Sequence, residues 1–97
     1  MAWAPAGRDG HYAVYDAAND AMTIFGGIGL NSETWTAAHA SGLTQPPVWT
    51  MVNSGAGAGD PPIFGTAVMD TNSLSMIVFG GFTTAVVNTV LVLSPLM

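Results

Sequence analysis

The side chains able to do chemistry are few and widely spread. They are the two histidines His11 and His39, the oxygen-bearing group Asp16, Asn19 and Asp20, the isolated acid Glu33, and the indoles Trp35 and Trp49. Metal binding by histidine needs ligands brought to one side of an element, as HxH, HxxxH or HExxH spacing does, and neither histidine has such a partner. His11 instead stands three residues after Arg8 and six after Pro5, at the entry to an apolar run, and reads as a structural hydrogen-bonding residue. Asp16, Asn19 and Asp20 offer oxygens, but without the alternating ligands, glycine and closing glutamate of a calcium loop. Turn chemistry is the better account of them, because short Asx side chains bond their own backbone and tolerate left-handed conformations. Glu33 has no evident second carboxylate for acid–base work, and no Ser/His/Asp grouping has nucleophilic spacing. Trp35 and Trp49 have faces suited to sugar rings, yet such rings more often supply buried area between sheets.

These residues hang on a repeated frame. Met22-Thr-Ile-Phe-Gly-Gly27 returns as Met76-Ile-Val-Phe-Gly-Gly81, and the offset of 54 residues from Gly26 to Gly80 also superposes Ala13 on Ala67, Val14 on Val68 and Asp16 on Asp70. A period near 50 residues with short apolar runs is the range of sheet-forming repeats that must stack on neighbours to bury their faces. The alternation predicts strands at 11–16, 21–25, 33–38 and 48–53, then at 63–70, 74–79 and 88–94, seven in all. Tyr12 and Val14 fall on one face of the first strand, and Ala13 and Tyr15 on the other. The glycine pairs Gly26-Gly27 and Gly80-Gly81 end strands where the backbone needs positive φ or a close approach. Residues 54–62, rich in glycine and closed by two prolines, read as the connection between copies.

Composition narrows the classes of function. Apolar residues make up 49 % of the chain and charged residues only 7 %, so there is little material for a fully solvated surface. Six acids stand against the single cation Arg8. Phosphate binding relies on clustered Lys and Arg, so nucleic acid is not an expected partner. No cysteine is present, which removes thiolate and disulfide chemistry and leaves the compartment open. Leu74 to Met97 carries no charge and is long enough to cross a bilayer, which takes roughly 20 apolar residues. Its glycines, threonines and β-branched residues, and its likeness to the first copy, favour paired strands over a spanning helix.

In order and spacing, Pro5-x-x-Arg8-x-x-His11, the turn at 16–20, Ile24-Phe25-Gly26-Gly27, Thr34-Trp35, Trp49, the glycine-rich linker and Ile77-Val78-Phe79-Gly80-Gly81 resemble Kelch repeats of the longer, galactose oxidase-like type. The second copy departs from the first with Pro62 for Arg8, Gly65 for His11 and Val90 for Trp35. The resemblance implies an all-β chain, a Kelch-type β-propeller fragment of about two four-stranded antiparallel blades. Blade 1 would cover about 8–53, the linker 54–62, and an incomplete blade 2 about 63–97, with Arg8, His11, Gly26, Gly27, Trp35, Trp49, Gly80 and Gly81 as structural residues. Two blades cannot close, so further blades or identical subunits are expected as neighbours. The function implied is a non-enzymatic binding module, with a protein or glycan held by rim loops 28–32, 54–62 and 82–87 through Asn31, Ser32, Asp60, Thr83 and Thr84. The alternative is the non-catalytic portion of a carbohydrate-binding or galactose oxidase-like enzyme. Copper oxidation of that kind requires a cysteine-linked tyrosine, which a chain without cysteine cannot form. No cofactor or metal is expected, and a membrane is not an expected partner.

Overall fold

A computed structural model describes residues 4–29, 32–55 and 61–93. These fold entirely as strands, turns and loops: β1 (Tyr12–Asp16), β2 (Ala21–Phe25), β3 (Thr34–Ala38) and β4 (Val48–Asn53) form one antiparallel sheet in the order 1-2-3-4. A second antiparallel sheet contains β5 (Thr66–Asp70), β6 (Ser75–Phe79) and β7 (Val90–Leu93) in the order 5-6-7. Within each sheet every strand pairs with the next in sequence, so each connection returns the chain antiparallel beside the strand it has just left, and only the β4–β5 connection passes from one sheet to the other. The uncharged stretch from Leu74 onward enters β6 and β7, and no helix among the described residues is long and apolar enough to cross a membrane.

The sequence repeat is also a conformational repeat. At the same offset of 54 residues the unusual backbone angles recur: φ is 72° at Gly10 and 62° at Phe64, 48° at Asp20 and 52° at Leu74. The same holds for 69° and 73° at Gly26 and Gly80, and for 119° and 104° at Gly27 and Gly81. Hydrogen bonds follow the offset too. Ile28 N–H donates to the Asp9 carbonyl as Phe82 N–H donates to that of Ile63. Both first turns are held alike: the Asp16 carboxylate accepts from Ala18 N–H and the Asn19 amide, and the Asp70 carboxylate accepts from Asn72 N–H and the Ser73 hydroxyl. The carboxylate oxygens of Asp16 and the amide nitrogen of Asn19 are thus committed to closing a hairpin.

Register corrects one expectation about the second copy. Ile24 pairs with Trp35 in the first sheet, and Val78 pairs with Leu91 in the second, so Leu91 rather than Val90 stands in the place of Trp35. Eight residues separate Phe25 from Thr34 and ten separate Phe79 from Val90, and the longer loop shifts the alignment by two.

The core lies between the sheets. Alternation puts Tyr12 and Val14 of β1 and Phe25 of β2 on one face, and these pack against Met76 and Val78 of β6, flanked by Ala67, Met69, Leu91 and Leu93. Tyr12 and Phe25 rings meet with centroids 5.9 Å apart. Thr23 and Thr36, also buried, satisfy one another through their hydroxyls at 3.2 Å. Among the described residues no buried side-chain nitrogen or oxygen lacks a partner, which removes the commonest cost of burying polar groups in a sheet.

Candidate functional site

At one end of both sheets the chain enters β1, leaves β2, leaves β4 and leaves β6, so four connections share a rim. Arg8 fixes the first of them. Its Nη2 donates to Glu33 Oε1 at 2.7 Å, its Nη1 to the Gly26 carbonyl at 3.1 Å and its Nε to the Ala6 carbonyl at 3.1 Å. The Arg8 side chain is only 3 % exposed and that of Glu33 21 %, so the pair is partly screened from water, which strengthens its charge-assisted bonds. Trp35 Nε1 donates to the same Glu33 oxygen at 2.6 Å, and Gly26 N–H donates to the Glu33 carbonyl at 2.9 Å. The Arg8 guanidinium, then the Trp35 indole, hold the Glu33 carboxyl below the usual carboxylate range against a smaller opposing effect of burial. Gly27 lets this unit close, since a Cβ at its φ of 119° would stand 3.3 Å from both Arg8 Cβ and the Asp9 carbonyl oxygen.

Tyr12 joins the two copies at the same rim. Its hydroxyl donates to the Gly80 carbonyl at 3.1 Å. Burial raises its phenol pKa, an effect partly offset by a hydrogen bond from the Gly65 backbone. A Cβ on Gly65 would lie 2.7 Å from the Tyr12 oxygen and 2.6 Å from the Phe79 carbonyl, and one on Gly81 would lie 2.8 Å from the same tyrosine oxygen. The change from His11 to Gly65 between the copies is therefore what makes room for Tyr12.

Above these anchors the rim loops enclose a cleft of about 310 Å³. Ile28 and Gly29 come from the β2–β3 loop, Pro61 and Ile63 from the β4–β5 connection, and Phe82 and Thr83 from the β6–β7 loop, with Gly27 at its base. Phe64 N–H to the Gly10 carbonyl, and Ile63 to Phe82 in both directions, tie the loops to one another. Among the described residues the walls are mainly apolar and carry no charged side chain; Ile28 and Phe82 remain 56 % and 46 % exposed. An apolar recess with fixed backbone polar groups suits a large apolar side chain better than an ion.

Of the residues named from sequence, Thr83 lines this cleft, whereas Ser32 lines a separate hollow of about 250 Å³ with Thr34, Asn53 and Leu91. Thr84 is exposed and lines neither. Asn31 and Asp60 lie outside the described residues. Trp35 is buried and Trp49 half-buried on the opposite face of the first sheet. His11 is exposed, and its ring enters no hydrogen bond among the described residues; Glu33 is the partner Arg8 uses. Glu33 and Tyr12 are the two residues whose importance the sequence reading missed. The signal for Glu33 was present: a lone cation must choose among few acids, and Glu33 shares a strand-entry face with Trp35.

At the opposite rim Asp20 accepts from the hydroxyls of Ser41 and Tyr15, both at 2.8 Å. Ser41 first and Tyr15 second lower the Asp20 pKa, and the same contact raises that of Tyr15. With Asp9 bonded to Gly10 N–H, every acid among the described residues accepts a hydrogen bond. No three His, Asp or Glu side chains among those residues gather as a metal site. Compared with family models, with curated proteins and with solved structures, the chain matches none.

Proposed function

We propose that this chain contributes about two sheets of a Kelch-type β-propeller and works as a non-enzymatic binding module. The carrying observation is the convergence of the three rim loops on one apolar cleft anchored by Arg8, Glu33 and Tyr12. The propeller reading draws support from the offset of 54 residues, which governs sequence, backbone angles and turn hydrogen bonds alike. A rigid scaffold carrying adjustable loops is a common way to present a binding surface. The cleft chemistry selects a partner protein that inserts one large apolar side chain, with backbone groups at the rim bonding its main chain.

A displayed library of short peptides, selected on the purified chain, tests this. Binders enriched in Phe, Leu, Ile or Trp are expected, and Ile28→Ser with Phe82→Ser should weaken them at least about tenfold, since burying such a side chain contributes about 1.5–3 kcal/mol. Selection of charged peptides without an apolar anchor, or binding indifferent to both substitutions, would contradict the reading.

A further inference from the structure

At one place on the rim the backbone asks for glycine and the chain carries phenylalanine. Gly10 and Phe64 are the same position of the two copies, 54 residues apart, and both turn through the left-handed region, with φ of 72° and 62°. Glycine takes that conformation freely, whereas a residue with a Cβ is strained there, a bulky aromatic one above all. Asp20, His39 and Leu74 are the other non-glycine residues of positive φ among the described ones. Asp and His are types that tolerate the region, and Leu74 is half-buried. Phe64 alone of the four is exposed, at 60 %, so most of its ring gains nothing from the fold that would offset the strain. The bond from Phe64 N–H to the Gly10 carbonyl, at 3.0 Å, would form as well with glycine at position 64. Backbone strain that the fold does not repay marks residues kept for a contact.

The surroundings of Gly10 say what kind of contact. A Cβ built on this buried glycine would stand 3.3 Å from Ile28 Cγ1, 3.3 Å from Ile63 Cβ and 3.4 Å from Phe64 Cε2, so the three side chains ring a single point. Ile28 and Ile63 also line the rim cleft. Apolar surface therefore continues from the cleft, across Gly10, to the exposed ring of Phe64. The adjoining acid Asp9 is turned onto the Gly10 N–H at 2.8 Å. We infer that Phe64 is a second contact for the protein partner proposed above. One apolar side chain of a peptide segment enters the cleft, and a neighbouring apolar residue of the same segment lies on the Phe64 ring, which offers area and dispersion but no charge. The inference rests on the cleft reading and sharpens it, from one apolar residue to a pair.

Peptides selected on the wild-type chain provide the test, and they should carry a second apolar residue near the anchoring one. Phe64→Asn, a residue that visits the left-handed region, should weaken their binding at least about fivefold and leave the melting temperature within about 5 °C of wild type. Phe64→Gly, which copies Gly10, should do the same. Replacing the second apolar residue of the peptide with Ser should cost a similar factor on wild type and little more on either variant, because both changes remove one contact. A fall in melting temperature beyond about 5 °C in both variants would assign the ring to the fold and overturn the inference. So would losses from peptide and protein that simply add. Binding that needs Ile28 and Phe82 but ignores position 64 would overturn the inference and leave the cleft reading standing. Failure to recover any peptide that needs Ile28 and Phe82 would overturn both.

Discussion

At the scale of single residues, Glu33 carries the heaviest structural duty. It satisfies the only cation, the Trp35 indole and, through its carbonyl, the Gly26 N–H. Replacing it with Ala leaves a buried guanidinium without its counter-ion and is expected to cost about 3 kcal/mol in chemical unfolding. Gln keeps an acceptor for both donors and should cost roughly half as much. Because the folded-state pKa of Glu33 is depressed, its contribution is fully present above the ordinary glutamate value of about 4.3 and is lost as pH falls through the folded value. The gap in stability between wild type and Glu33→Gln should accordingly narrow from pH 6 toward pH 3. A constant gap would mean that the carboxylate charge contributes nothing. Tyr12→Phe removes the bond to the Gly80 carbonyl and should cost about 1.5 kcal/mol, read as a fall in melting temperature of roughly 5–10 °C. No change in melting temperature would remove Tyr12 from the set of anchors.

At the scale of elements, the glycines decide how closely the copies approach. Gly81→Ala combines a φ of 104° with a Cβ 2.6 Å from the Ile63 carbonyl, and Gly65→Ala meets the Phe79 carbonyl at the same distance. Neither obstacle is a flexible side-chain end, so each substitution should cost about 3 kcal/mol or more. Gly29→Ala, with open space around its Cβ but a φ of 73°, should cost only about 1 kcal/mol. Equal losses at all three positions would contradict the close packing at Gly65 and Gly81. The strands themselves were legible: β2 and β4 occupy the residues their alternation predicts, and the others differ by one to three residues at an end. The extra residues placed in β5 at 63–65 instead form a single bridge from Ile63 to Phe82, because Phe64 takes a left-handed φ that ends the ladder. The partnership of Arg8 with Glu33 was not legible, since it spans 25 residues and a lone ion pair has no periodicity. Nor was the use of Gly65, which in sequence looks like a lapse of the repeat and in space is the seat of the Tyr12 hydroxyl.

At the scale of the whole molecule, β1, β2, β5 and β6 carry apolar residues on both faces, and alternation alone could not say which face would meet the other sheet. The packing resolves it: the Tyr12–Val14 face of the first sheet rests on the Met76–Val78 face of the second, which leaves Val68, Phe79, Val90 and Val92 exposed on the outer face of the second sheet. With 7 % charged residues the chain has few means of making that face comfortable in water. On the propeller reading proposed above, closure takes about four to eight sheets, the equivalent of two to four chains of two sheets each. The most direct measurement is the molar mass of the purified wild-type chain in solution by light scattering, taken over a hundredfold range of concentration. A single discrete species of two, three or four copies is the predicted result. A folded chain that stays at 9.9 kDa throughout would contradict the claim that these sheets are consecutive members of a continuing stack.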